Sequence, residues 1–224
     1  PYLDTRNVSR LANRRGLTTK KTISFSNGSI FSGWTMKDAG LSIGEGMLDE
    51  ILSKTQTVCE AIGKCASSLS LGDFRLRNLE QAWCDAAYWY HEGLAEKIDS
   101  IAVVKFVAAI EVFLRTESTK GSLGRMLAVM EVFFGLKPTD AINANTGLTA
   151  KEFARALIEG RSRVLHGTQS TLESRLGSSR NSLEYLAAAL IRTGAVQLDF
   201  YANSPNPVDN IESFLEWMKL ERLK

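Results

Sequence analysis

From Ser42 onward, apolar residues return every three or four positions, the spacing that puts them on one face of an α-helix. Met47, Ile51, Leu52, Val58, Ile62 and Cys65 form the first stripe and predict a helix ending before Gly72. Leu76, Leu79, Trp83, Ala86, Ala87 and Tyr90 mark a second, over about 73–90, which Gly93 closes as glycine commonly closes helices. The third, about 97–116, is apolar nearly all round. Ile101, Val104, Phe106, Val107, Ile110, Val112, Phe113 and Leu114 leave Lys105 and Glu111 as the charges in its middle, the pattern of a central, buried helix.

A fourth helix, about 122–134, leads to a polar connection through Asn143, Asn145 and Gly147. Thr149-Ala-Lys-Glu152 has the form of a capping box, so a fifth helix begins there, carries Phe153, Ala156, Leu157, Val164 and Leu165, and stops at Gly167. Ser170-Thr-Leu-Glu173 is a second such box, opening a long helix to about Tyr201 in which Gly177 and Gly194 mark bends or close helix approaches. Asn206 as cap and Pro207 at the first helical position start the last helix, with Ile211, Phe214, Leu215 and Met218 on its apolar side. Proline agrees with the count of helices: the only ones are Pro1, Pro138, Pro205 and Pro207, so Tyr2 to Lys137 lacks the residue that most disrupts helices. The fold class expected is all-α, a bundle of six or seven helices.

The first forty residues break the pattern. Arg6, Arg10, Arg14, Arg15, Lys20 and Lys21 precede two short alternating runs separated by Asn27-Gly28, a hairpin signal. Residues 1–40 therefore read as a basic arm with a small hairpin, either the tail of a preceding domain or a segment folded onto the bundle, and 41–224 as the helical domain. Pro1 at the first position is what a trimmed chain or a piece of a longer protein would carry.

Composition narrows the class further. With 44% hydrophobic and 23% charged residues, disorder and a coiled-coil rod are excluded. Apolar runs such as Leu186–Ile191 fall far short of the roughly 18 residues of a membrane span. Cys59, Cys65 and Cys84 are odd in number and lack a C-x-x-C spacing, which argues against a disulfide framework or zinc site and for core thiols in a reducing, cytoplasmic setting. The balance of 27 basic against 25 acidic residues is too even to identify a nucleic-acid partner by itself.

Candidate chemistry concentrates in one place. The chain has two histidines, and His166 closes the segment Glu159-Gly-Arg161-Ser-Arg163-Val-Leu-His166-Gly at the end of the fifth helix. Arg161 and His166 make an R-x4-H motif that follows an all-helical region, ends a capped helix and is followed by a long one. The segment resembles the R-x(4–6)-H signature of HEPN domains, and Ala109-Ile-Glu111-Val-Phe-Leu114 resembles the apolar helix with an embedded glutamate of the Apea-like branch; the likeness covers roughly residues 95–200. The polar residue after the motif arginine, often Asn, Asp or His, is here Ser162, a departure from the family pattern at the position of its auxiliary residue. The resemblance implies a metal-independent endoribonuclease without cofactor, acting at a composite site where two motifs meet in a homodimer, in toxin or antiviral-defence systems, with RNA as substrate and an antitoxin or a flanking domain of the parent protein as partner. The rival reading is a non-catalytic interaction or oligomerisation domain of a larger protein.

The residues suit that chemistry. A histidine can take the proton of a ribose 2′-hydroxyl or return one to the leaving 5′-oxygen, and an arginine can hold the phosphate in its fork as charge builds. Five positions on an α-helix turn through about 140°, however, so Arg161 and His166 share a face only if the helix loosens at Gly167. Arg163, three before His166, does share it and is a second candidate for the phosphate. Glu111 either supports the site or pairs with Arg115 four residues on, Lys105 reads as a snorkelling side chain, and His91 as a partly buried member of an aromatic belt without catalytic role. Six arginines between Arg155 and Arg192 face Glu159, Glu173 and Glu184, a basic bias around the motif that suits a phosphate backbone. Phosphate-binding glycine loops and carboxylate pairs at metal-site spacing do not occur.

Overall fold

The structure, a computed structural model, describes residues 17–26, 29–38, 46–96, 98–115, 119–143, 147–168, 170 and 180–222, the first two stretches through their backbone. Strands β1 (Leu17–Ser26) and β2 (Ser29–Asp38) pair antiparallel, with Ser26 opposite Ser29 and Leu17 opposite Asp38, so the chain forms a hairpin around the Asn-Gly pair. Among the described residues seven α-helices follow: α1 (Met47–Leu71), α2 (Arg77–Ala95), α3 (Asp99–Phe113), α4 (Thr119–Phe134), α5 (Ala150–Leu165), α6 (Arg180–Ala202) and α7 (Ile211–Arg222). The fold is the all-α bundle that the apolar spacing predicts. One short ribbon, β3 (Ala141–Asn143) with β4 (Leu148–Thr149), forms where a plain polar connection was expected. Strands of three and two residues are too short for alternation to show in a sequence.

Helix α3 is central, packed between α2, α5 and α6. Ala102, Val103, Phe106, Val107, Ile110 and Phe113 are all buried, which is why its apolar residues leave no polar face. Two glycines let neighbours close on it. Gly93 does not end α2, which runs two residues further to Ala95; it gives room to the core instead, since a Cβ there would lie 2.6 Å from Phe106 Cε1. A Cβ on Gly194 of α6 would meet Phe113 Cζ at 3.0 Å, a close approach of the kind expected there. Gly177, and the Ser170–Glu173 capping box beyond its first residue, lie outside the described residues.

Several helix ends are satisfied by residues remote in sequence. The backbone N–H groups of Asn78 and Leu79 donate to the Asp209 carboxylate at 2.8 and 3.0 Å, so a loop 130 residues on caps α2. Arg180, expected in the basic face around the motif, is instead buried and donates to the Gly93 and Glu96 carbonyls and to Asp99 at 2.9 Å, tying the α2–α3 junction to α6. At α7 the cap is Asn210, whose Oδ1 accepts from Ser213 N–H at 2.8 Å, and not Asn206. Asn206 takes a left-handed φ of 54°, and the Tyr201 hydroxyl both donates to the Val208 carbonyl and accepts from its N–H, holding the Pro207 segment out of a helix.

Three further expectations are corrected by exposure. Cys65 and Cys84 are buried but Cys59 is exposed, its thiol donating to Thr55 Oγ1. His91 is exposed rather than partly buried. Among the described side chains the α1 stripe enters the core from Ala61 onward, leaving Ile51 and Leu52 exposed. Charge links the same region together: Asp199 of α6 accepts from Lys64 and Arg75, each at 2.6 Å, and Arg75 also holds the buried Glu80 at 2.7 Å. Among the described residues no helix is long and apolar enough to cross a membrane.

Candidate active site

Helix α5 positions the motif, and its start is built as the sequence reads. Glu152 N–H donates to Thr149 Oγ1 at 3.3 Å and Thr149 N–H donates back to Glu152 Oε2 at 3.0 Å, closing the capping box. Such a cap contributes about 1 kcal/mol. The hydrogen bonds from the Thr149 backbone and hydroxyl hold the Glu152 carboxyl below the usual carboxylate range. Ala154, Leu157, Ile158 and Val164 are buried on the inner side of the helix, which packs on α3 and α4.

The other end of α5 is not loosened. His166 is the C-cap, its N–H donating to the Ser162 carbonyl at 3.0 Å. Gly167 takes a left-handed φ of 68° and donates to Val164, while Thr168 N–H donates to Arg163 at 3.0 Å. This pair of bonds is a Schellman closure, and glycine at its left-handed position makes it possible without strain. The helix therefore stays regular through the motif, and Arg161 and His166 keep the angular separation that five helical steps impose.

Arg161 turns toward the bundle. Its Nη2 lies 3.1 Å from Oε2 of Glu111 on α3, joining the motif arginine to the glutamate embedded in the central helix. The Glu111 side chain is 9% exposed and that of Arg161 is 32% exposed, so the pair straddles the surface of the core. Arg161 Nε is enclosed and has no acceptor among the described residues. The alternative partner of Glu111, Arg115, donates its guanidinium to the Asn78 carbonyl at 2.7 Å. His166 is exposed, and its imidazole makes no hydrogen bond or ion pair among the described residues. Arg163 is likewise exposed and Ser162 half-buried. The structure thus brings Arg161 and Glu111 together and leaves His166 and Arg163 facing outward.

Beside Arg161 runs an open groove of about 740 Å³ between α2, α3 and the end of α5. Lys105 lines it without snorkelling freely: its ammonium is 3.0 Å from Glu96 and 3.5 Å from Glu92, bracing α3 against α2. Arg115 stands at one end of the groove with a left-handed φ of 47°, its carbonyl and that of Leu114 both accepting from Arg125. Asp85 and Trp89 of α2 also line it, and sequence reading assigned them no role in the site. Their four-residue spacing was the available signal, but it looked like one more turn of an amphipathic helix. Among the described residues no group of three or more His, Cys, Asp or Glu side chains is placed to hold a metal ion. Compared with known protein families, curated proteins and solved structures, the chain matches none of them.

Proposed function

We propose that this chain is a HEPN-like, metal-independent endoribonuclease of toxin or defence type, acting in the cytoplasm as a homodimer, with Arg161 and His166 as its catalytic pair. The observation that carries this reading is the Arg161–Glu111 ion pair beside an exposed His166: a fixed guanidinium and an unengaged imidazole on the last two turns of one helix. Arg161 holds the scissile phosphate and stabilises the charge that builds on its oxygens. His166 takes the 2′-hydroxyl proton as that oxygen attacks phosphorus, or delivers a proton to the departing 5′-oxygen. Attack by the 2′-oxygen breaks the phosphorus–5′-oxygen bond and leaves a 2′,3′-cyclic phosphate and a 5′-hydroxyl. Glu111 is a positioning residue for Arg161, and Arg163 and Ser162 are auxiliary groups on the same helix.

Because Arg161 and His166 diverge around α5, one catalytic centre is completed by Arg161 of one protomer and His166 of another. Leu165, 57% exposed between them, supplies apolar surface for that contact. A subunit-mixing experiment tests it. Arg161→Ala and His166→Ala proteins are each inactive alone, and a mixture of the two regains RNA cleavage because one centre of each heterodimer is intact. A mixture as inactive as its components would overturn the composite site.

A further inference from the structure

The pairing of Arg161 with Glu111 accounts for one side of the groove. Along α2, Gln81, Asp85 and Trp89 line it at four-residue intervals, one stripe about 12 Å long. Gln81 and Asp85 are exposed, and neither makes a hydrogen bond or ion pair among the described residues. Trp89 is partly exposed, with the ring of Tyr88 set edge-on to it at 6.2 Å. Across the groove, Val104, Ala108 and Val112 of α3 repeat the same interval with no polar side-chain atom. Of the cations lining the groove, Lys105 is committed to Glu92 and Glu96, Arg161 lies against Glu111 and Arg115 donates to the Asn78 carbonyl, and among the described residues none of them forms an ion pair with Asp85.

A carboxylate between an amide and an indole, facing an apolar wall, suits a flat heterocycle that offers paired N–H donors. Stacking of a base on an aromatic side chain is worth roughly 1–3 kcal/mol whatever the base, so Trp89 supplies affinity without selectivity. Selectivity falls to Asp85, which as a carboxylate only accepts hydrogen bonds. Guanine presents two adjacent donors, N1–H and N2–H, on its Watson–Crick edge. Adenine and cytosine set an acceptor nitrogen beside the amino group, and uracil sets its single N–H between two carbonyls, so each of them turns a lone pair toward the carboxylate.

We infer that the groove is a guanine subsite, with Asp85 as the specificity-determining residue, Trp89 as the stacking platform, and the 3′-phosphate of that nucleotide directed to Arg161. The assignment rests on the proposed phosphate-holding role of Arg161, and it makes the enzyme one that cuts single-stranded RNA after guanosine.

The test is a calorimetric titration of the full chain with 3′-GMP and 3′-AMP, on the wild type and on Asp85→Asn and Trp89→Ala. The expected result is 3′-GMP bound about tenfold or more tighter than 3′-AMP, the discrimination of one good bidentate pair. Asp85→Asn, at an exposed position, brings the two affinities together with an unchanged circular dichroism spectrum, and Trp89→Ala weakens both. Equal affinities in the wild type, a preference that survives Asp85→Asn, or no binding of 3′-GMP at millimolar concentration would each overturn the subsite. RNA cleavage without base preference overturns the subsite and leaves the nuclease standing. Guanine-selective binding with no cleavage does the reverse.

Discussion

Arg161 on α5 and Glu111 on α3 meet at 3.1 Å across fifty residues of sequence, and the carboxylate in that pair is the more deeply buried partner. The contact ties the motif to the central helix of the core, so in the proposed nuclease it acts on stability and on catalysis together. Arg161→Ala takes from Glu111 its guanidinium partner and costs about 1–3 kcal/mol of folding free energy, less than a fully buried pair because Arg161 is partly solvated. Glu111→Gln keeps a hydrogen-bonding group of the same shape but frees the guanidinium to wander, and lowers RNA cleavage by about tenfold to a hundredfold in protein that still folds. Urea unfolding beside single-turnover cleavage checks both. An unchanged urea midpoint in Arg161→Ala would mean that the pair does not brace α5.

Gly93 and Gly194 separate two effects of the same substitution. Alanine gains about 1 kcal/mol of helix propensity over glycine at either site. At Gly93 the new methyl falls within 2.6 Å of a fully buried Phe106 ring, so overpacking outweighs that gain and Gly93→Ala is destabilised by roughly 1–3 kcal/mol. Gly194→Ala, with Phe113 at 3.0 Å, is the milder of the two. Chemical denaturation ranks them, and a Gly93→Ala protein as stable as the wild type would show that α2 and α3 pack less closely than described.

Acid sensitivity has a definable source in Asp199. Burial alone would raise its pKa, but hydrogen bonds and charge from Lys64 and Arg75 outweigh burial and hold it below the usual value. A carboxylate depressed in the folded state contributes stability above its unfolded pKa, near 3.9, and loses it as the pH falls through the lower folded value. Asp199→Asn therefore lowers stability at neutral pH and flattens the loss of stability below about pH 4. Melting temperatures from pH 7 to 2 read this directly; parallel curves for wild type and variant would exclude Asp199 as the source.

The three cysteines differ in exposure, and their reactivity should follow. Burial, with the nearby Glu80 charge, pushes the Cys65 thiol up to about 12; burial with Asp85 and Glu80 raises Cys84 to about 11. Neither forms thiolate at neutral pH, whereas Cys59 is open to solvent. A thiol-reactive dye in native buffer labels Cys59 alone, and Cys59→Ala protein reacts only after unfolding. Rapid labelling of the Cys59→Ala protein in native buffer would contradict the buried placement of the other two.

What could be read from the sequence was what neighbouring residues decide among themselves. The Thr149–Glu152 box, the left-handed Gly72 and Gly167, the hairpin around Asn27-Gly28 and the apolar third helix are set by residues within a few positions of each other. What could not be read depends on partners brought close only by packing. The Asp209 cap on α2, Arg180 at the α2–α3 junction, the clamp of Lys105 and the choice of Arg161 over Arg115 for contact with Glu111 are of this kind. Asn206-Pro207 has the local form of a helix start. It lost to a tertiary contact, the Tyr201 hydroxyl on Val208. Of the candidate site, the placing of Arg161 and His166 at the end of α5 was legible and the groove beside Arg161 was not, because Asp85 and Trp89 belong to a helix whose spacing gave no reason to single them out.

The most direct measurement incubates the purified full chain with end-labelled single-stranded RNA and the matching DNA in EDTA, beside His166→Ala. The account predicts cleavage of RNA alone, leaving 2′,3′-cyclic phosphate ends, and its loss in His166→Ala protein with wild-type circular dichroism. RNA cleavage that persists in His166→Ala, or folded, dimeric wild-type protein that leaves RNA intact, would contradict it.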